Sequence, residues 1–402
     1  MTLSLSADRR SWARDAYLHL HAHPELSMQE KETAAYVEGR LDELGIESFR
    51  CGGTGVVGVL RNGDGPTVAF RADTDGLPVA EETGLPYAST ATGTLPDGRI
   101  VPVMHACGHD MHTAASLAAA AALVADRTAW AGTLVLIFQP GEETAAGARA
   151  MVEDGLWDRA PRPEVVLGQH VFPYPVGTVQ VPSTTAMAMA DSVRITLRGK
   201  QSHGSQPQHS IDPVLLGAHV VTRLQGIVSR EVDPRRPTVV TIGTFHAGLK
   251  ENIIPETAEL TLNVRTMDPD TRETVLAAIR RIVVAESQAS GASDPEIEEF
   301  NSFPQCVNHP ETSARVHAAL ADVFGEDNVS DPEPMMGSED VGLLWDTLGI
   351  PGAYWFVGVA TRDDPAPAMN HSPRFAPLLA EGLDASIAAA LAALGAWLCP
   401  VQ

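Results

Sequence analysis

Residues 133–143 read Thr133-Leu134-Val135-Leu136-Ile137-Phe138-Gln139-Pro140-Gly141-Glu142-Glu143. The first six carry no charge and are all large or β-branched, which predicts a strand covered on both faces. Such a strand belongs to an α/β domain, in which helices cover a mostly parallel sheet. The run stops at a Pro-Gly turn bearing two adjacent glutamates, and open α/β sheets bind ligands at the carboxyl ends of their strands. Successive residues on a helical turn diverge by about 100°. Glu142 and Glu143 therefore cannot face one metal in the same way, and the pair predicts one ligand beside one proton-handling group. Elsewhere on a surface the same pair would be only a solvated face.

The flanking patterns extend this reading. Residues 8–22 and 29–44 have helical periodicity, and residues 56–60 and 67–70 are short apolar strands. Residues 112–126 form an alanine- and leucine-rich helix with almost no polar face, and 164–167 is a further strand candidate. From residue 191 the pattern changes. Val193, Ile195 and Leu197 alternate with Ser192, Arg194 and Thr196, as a strand with one wet face requires. A helix at 212–230, strands at 238–244 and 258–265, a helix at 271–289 with Asp270 as N-cap and Glu273 at N3, and a strand at 296–300 follow. The order is β-α-β-β-α-β, a ferredoxin-like unit. Helices near 310–324 and 338–348, a strand near 353–358 and a helix at 377–398 restore the α/β pattern. The expected fold is two-domain α/β: a discontinuous catalytic domain of residues 1–187 and 302–402, interrupted by a domain at 188–301.

The chain has 402 residues, enough for two cores. Its net charge of −23 argues against nucleic acid and against an anionic membrane surface. The first twenty residues lack the basic and apolar regions of a signal peptide, and the alanine run at 114–122 is too short to span a bilayer. Cys51, Cys107, Cys306 and Cys399 lie far apart and form no disulfide framework, which favours a reducing, cytoplasmic setting.

Chemistry concentrates in a few segments. His105-Ala106-Cys107-Gly108-His109-Asp110-Met111-His112 holds five residues able to ligate metal or move protons, a cluster too costly to bury without a task. Thiolate with imidazole suits zinc and its neighbours. His170 ends a strand candidate, where a histidine is either a hydrogen-bonded core residue or a ligand. His371, in Asn370-His371-Ser372-Pro373, is open to the same two readings. Asp73 and Asp75, in Arg71-Ala72-Asp73-Thr74-Asp75-Gly76, either orient ligand histidines or cap a turn.

Together these segments resemble the M20 metallopeptidase family, specifically its amidohydrolase branch of hippurate hydrolases, N-acyl-amino-acid amidohydrolases and auxin-conjugate hydrolases. The motifs are His23-Pro24-Glu25, Arg71-x-Asp73-x-Asp75-x-Leu77-Pro78, His105-Ala106-Cys107-Gly108-His109-Asp110-x-His112, Gln139-Pro140-x-Glu142-Glu143, Gly199-Lys200-x-Ser202-His203-Gly204, Asn252-Ile253-Ile254-Pro255, Gly337-Ser338-Glu339-Asp340 and His371-Ser372-Pro373. The resemblance implies two divalent metal ions per subunit held by Cys107, His109, Glu143, His170 and His371. Cysteine favours zinc by softness, while similar enzymes also use manganese, nickel or cobalt. It implies Glu142 as general acid and base, Asp73 as an orienting carboxylate, His203 as an oxyanion-stabilising residue and Asn252 as a substrate contact. It also implies that the inserted domain is a lid through which the enzyme forms a homodimer or a higher homo-oligomer. Arg265, on the wet face of its strand, is either a substrate-carboxylate contact or an exposed structural residue. One departure stands out: residues 301–304 read Asn301-Ser302-Phe303-Pro304, without the arginine that carboxypeptidase-type relatives often place there.

The implied activity is hydrolysis of N-acyl amino acids, with a dipeptidase or carboxypeptidase as the nearest alternative. A binding protein that keeps the fold without catalysis would require loss of a ligand or of Glu142, and none is lost. A thiol enzyme built on Cys107 with His109 or His112 would survive chelation and fail on alkylation.

Overall fold

The structure, a computed structural model, describes residues 5–399, and its contacts divide them into two compact units. One consists of residues up to Ala186, Val307–Pro334 and Asp340 onward; the other is Met187–Cys306 with Met335–Glu339.

Helices α1 (Ala7–Ala22) and α2 (Lys31–Glu43) open the first unit. Strands β1 (Glu47–Cys51), β2 (Gly55–Asn62) and β3 (Thr67–Asp73) follow, then helix α3 (His109–Ala125) and strands β4 (Gly132–Gln139) and β5 (Val165–Pro175). The second unit contributes β6 (Met189–Arg198), β7 (Ser202–His203), α4 (Pro213–Arg230), β8 (Thr238–Ala247), β9 (Ile253–Ile254), β10 (Thr257–Thr266), α5 (Pro269–Ala289) and β11 (Glu296–Phe303). The chain returns to the first unit with α6 (Pro310–Phe324), β12 (Gly352–Ala360) and α7 (Leu379–Leu398).

The sheet of the first unit runs β1-β2-β4-β3-β5-β12 and ends in two short strands, Val179–Gln180 and Val329–Ser330. Its centre, β4-β3-β5-β12, is parallel, while β1 and β2 are antiparallel additions. Residues 134–139 of β4 are all buried, as the apolar run predicts. Helix α3 is buried on nearly every side because it packs against α1, α7 and β3; its many alanines allow that close approach. Helix α7 is long and apolar enough to cross a membrane, but Leu383, Ile387 and Leu394 are buried against the same core, which makes it a core helix.

In the second unit the four long strands order as β8-β10-β6-β11, all antiparallel. Val193, Ile195 and Leu197 of β6 and Leu260, Leu262 and Val264 of β10 face a core shared with Leu216, Val220 and Leu224 of α4 and Val275 and Ile279 of α5. The alternation in β6 thus becomes one dry face and one wet face.

Three local expectations are corrected. Helix α5 is capped by Asp268, which accepts the Thr271 N–H at 2.9 Å, and not by Asp270, because Pro269 takes the first helical position. Strand β5 continues to Pro175, so His170 lies within the strand and not at its end. The helix expected near 338–348 is only Gly342–Asp346.

Candidate metal centre

The parallel strands align the site. Asp73 of β3 pairs with Gln139 of β4, and Arg71 pairs with Gly168 of β5, which puts His170 level with Asp73. Two residues past β3 lies Asp75; three past β4 begins the turn Glu142–Thr144. Gly108, at φ 84°, turns the chain between Cys107 and His109, and a Cβ there would sit 2.4 Å from Val171 Cγ2. His371 arrives from the last loop at φ 68°, a conformation costly for a non-glycine residue. It is fastened there: the His371 N–H donates to the Ala106 carbonyl at 2.7 Å, and the Asn370 amide donates to the carbonyls of Cys107 and Val171 at 3.3 and 3.1 Å.

All five residues of the implied ligand set converge. Cys107 Sγ is 3.4 Å from His170 Nε2 and 3.3 Å from His371 Nε2. Glu143 Oε1 is 3.4 Å from His371 Nε2 and 4.0 Å from His109 Nε2. Donors sharing one tetrahedral cation at zinc-like bond lengths stand about 3.3–3.8 Å apart, so these spacings suit cations. Among the described residues, His109 Nε2 and Glu143 Oε1 are buried without a hydrogen-bond partner, and buried polar atoms are rarely left so. The donor set of thiol, imidazoles and carboxylate therefore fits metal.

The imidazoles are oriented for it. His170 Nδ1 donates to the Val171 carbonyl at 2.8 Å, and His109 Nδ1 donates to Asp75 Oδ1 at 3.1 Å, so each turns Nε2 inward. His112 is spoken for differently: its Nε2 accepts the Val171 N–H at 2.8 Å, which fixes the proton on Nδ1, and that donates to Asp73 at 2.5 Å. It sits among the possible metal donors, but both nitrogens are used.

Electrostatics follow from burial among carboxylates. Burial pushes the Cys107 thiol well above its ordinary value, and the Glu143, Glu142 and Asp73 charges push the same way. Burial would lower His109, but Asp73, Asp75 and Glu143 outweigh it and raise it to about 10. Burial would raise Asp73; the charges of His109 and Arg71 and the hydrogen bond from His112 instead hold it well below the usual range. The Arg71 guanidinium is itself buried, donating to Gln139 at 2.9 Å, Asp73 at 2.8 Å and Asp340 at 3.2 Å.

Of the two aspartates open to an orienting role, Asp75 is the one that holds a ligand histidine, and Arg71 was not singled out from sequence. Asp75 makes the His109 Nδ1 contact, and its other oxygen accepts the Glu143 N–H at 3.1 Å. Asp73 instead serves Arg71 and His112, with Oδ2 3.4 Å from His109 Nε2. Arg71 had a legible signal, a cation inside an apolar strand that burial would penalise unless paired. The remaining candidates belong to the second unit. His203 and Asn252 come together there, since His203 pairs with Ile253 and the Gly204 N–H donates to the Asn252 carbonyl at 2.8 Å. His203 Nδ1 accepts the Ser205 N–H at 3.1 Å, which leaves its proton on Nε2. Arg265 donates through Nε to Asn263 and through Nη1 to the Met336 carbonyl and Ser338; Nη2 is in none of these bonds.

Comparison with known proteins agrees. Residues 69–396 match the model of Peptidase family M20/M25/M40. A hippurate hydrolase of Campylobacter jejuni is 38% identical over 329 residues, 81% of this chain and 82% of the relative. Thermostable carboxypeptidase 1 of Saccharolobus solfataricus is 35% identical over 370 residues, 90% of each chain. In structure, the chain is similar to the Bacillus subtilis YXEP protein, a dinuclear metal binding peptidase, with a TM-score of 0.74, 31% identity and coverage of 97% and 99%. The buried cluster and that dinuclear neighbour together support two divalent metals. The chain belongs to Peptidase family M20/M25/M40 and is a hydrolase of its amidohydrolase kind.

Proposed function

We propose that the enzyme hydrolyses the amide bond of N-acyl amino acids, such as N-acetyl or N-benzoyl derivatives, releasing a carboxylic acid and a free amino acid. The observation that carries this is the convergence of Cys107, His109, Glu143, His170 and His371, of which Cys107, His109 and His170 are buried, with His109 Nε2 and Glu143 Oε1 left for a cation. Similarity to a hippurate hydrolase supports the substrate class, hippurate being an N-acyl amino acid. The five residues would hold two divalent cations, zinc or manganese before nickel or cobalt. Bound there, such cations supply the positive charge that acidifies a water and polarises the amide carbonyl.

The chain's own groups do the rest. Glu142 shares a tight turn with Glu143, and neighbours on a turn of about three residues point apart. One can ligate while the other faces the reacting atoms. Glu142 takes the proton as water attacks the carbonyl, and returns it to the nitrogen as the C–N bond breaks. The Nε2 proton of His203 suits donation to the developing oxyanion. Asn252 and the Nη2 of Arg265 are the proposed substrate contacts. In this reading the second unit, with its β-α-β-β-α-β order, is a ferredoxin-like lid; closure would exclude water. Its edge strand β8 would serve a homodimer. Four free cysteines support a cytoplasmic setting.

The carboxypeptidase relative favours a second reading, cleavage of free peptides. One experiment separates them. Chelated enzyme is reloaded with zinc, manganese, nickel or cobalt and given N-acetyl, N-benzoyl and indole-acyl amino acids beside dipeptides. N-acyl amino acids should be preferred; faster dipeptide cleavage, or full activity without metal, overturns the proposal.

A further inference from the structure

The segment from Glu25 to Glu30 touches both carboxylate-bearing loops of the site, and none of its side chains is among the proposed metal ligands or substrate contacts. The Gly76 N–H donates to the Glu25 carbonyl at 2.7 Å, joining the segment to the chain just past Asp75. The Ser27 hydroxyl donates to Asp75 Oδ2 at 2.6 Å, the same oxygen that accepts the Glu143 N–H. Glu30 stands at the N-cap position of α2 but does not cap it; Glu25 accepts the Thr33 N–H instead, at 2.8 Å. The Glu30 carboxylate is fully buried and turns the other way. Its Oε1 accepts the Met28 and Gly141 N–H groups, each at 2.8 Å, and Oε2 accepts the Thr54 hydroxyl at 2.5 Å. Gly141 immediately precedes Glu142 and Glu143. Between Ser27 and Glu30 the chain bends at Met28, whose φ of 63° is strained for a methionine. The Met28 sulfur lies where a Cβ on Gly141 would fall, at 2.5 Å. Strain of this kind persists only where surrounding bonds enforce it.

We propose that Glu30 and Ser27 are positioning residues for the hydrolysis: they bracket the Gly141–Glu143 turn and Asp75, and so set where Glu142 and Glu143 point. The inference rests on the metal-hydrolase reading above. A buried acceptor joining two loops leaves them little freedom at the moment of reaction, which is what an oriented base and ligand need.

The test compares Glu30→Ala, Glu30→Gln and Ser27→Ala with wild type in metals retained per chain after gel filtration, metal dissociation constants by chelator competition, kcat and KM, and thermal unfolding. Glu30→Ala should weaken retention and lower kcat by about 10–100-fold, the range for residues that orient ligands, with KM little changed. Glu30→Gln should rescue both, because the amide oxygen still accepts the two N–H groups and the Thr54 hydroxyl can accept from the amide. Folded Glu30→Ala with wild-type kcat and retention overturns the proposal, as does Glu30→Gln failing as badly as Glu30→Ala. If Glu30→Ala does not fold, Ser27→Ala decides: weaker retention at an unchanged Tm supports the bracket, and unchanged retention overturns it. Failure of the parent reading shows in the wild type itself, as a chain that keeps no cation or cleaves no N-acyl amino acid.

Discussion

His21 lies on α1 with Nδ1 2.7 Å from Asp110 Oδ2 and Nε2 3.1 Å from Glu81 Oε1, all three side chains buried. Both ring nitrogens face carboxylates, so the ring serves best as imidazolium. Burial would lower its pKa, but the hydrogen bonds and charges of Asp110 and Glu81 raise it to about 9 from the ordinary 6.5. A folded value above the unfolded one means that the native state binds the extra proton between them. The stabilisation is complete below pH 6.5, declines as pH rises, and is gone above about 9. At about 1.4 kcal/mol per tenfold in proton affinity, the whole effect is about 3 kcal/mol. At this size each kcal/mol moves Tm by roughly 2 °C. The assay is thermal unfolding of wild type and His21→Gln from pH 6 to 9.5 at fixed metal concentration. Glutamine cannot titrate, so the difference between the two Tm curves isolates His21 from every other group. The gap should be widest at pH 6 and shrink by roughly 6 °C by pH 9.5. Parallel curves would refute the imidazolium bridge.

Three further outcomes are expected. Glu142→Gln should keep both metals and the wild-type Tm yet lose about 10²–10⁴-fold in kcat; undiminished turnover would remove Glu142 from proton transfer. Asp75→Asn must turn an amide donor toward His109, Ser27 or the Glu143 N–H, so metal binding measured by chelator competition should weaken by about 10–100-fold. Wild-type affinity would show that Asp75 orients nothing. Metal-free protein should hold a proton on Cys107, whose thiol is pushed up, and on His109, raised to about 10. Adding zinc in weak buffer at pH 7.5 should therefore release protons, and Cys107→Ala should release fewer and load less metal. Binding without acidification would contradict the ligand assignment.

The residues that were legible in sequence are those whose packing and chemistry disagree. Residues 133–138 read as a doubly covered strand, and the Cys107–His109 cluster had no packing use. Where the sequence is ambiguous, the deciding partner comes from far along the chain. Asp73 and Asp75 look equivalent at the end of β3. Only the positions of His112 and Arg71 on one side, and of His109 and Ser27 on the other, divide their work. Asp270 reads as the cap of α5, and the role falls to Asp268 because Pro269 takes the first helical position. Glu30 falls inside the helical pattern of residues 29–44, which says nothing of its carboxylate, because its partner Gly141 is 111 residues away.

The same distance explains why the centre is built as it is. Its donors come from the loop before α3, the turn after β4, the middle of β5 and the loop before α7, so no local segment can assemble them. The parallel order β4-β3-β5-β12 brings their strands to one edge, but a sheet sets positions only along its own strands. Two of these loops are therefore held by bonds between a side chain and a backbone group. Asn370 fixes the His371 turn to the carbonyls of Cys107 and Val171, and Glu30 fixes the Glu142 turn through the Gly141 N–H. Both turns contain or adjoin residues held at positive φ, His371 at 68° and Met28 at 63°. A relaxed loop would let a carboxylate or imidazole drift from the cations it must meet; the strain is the mark that these two have been given only one place to stand.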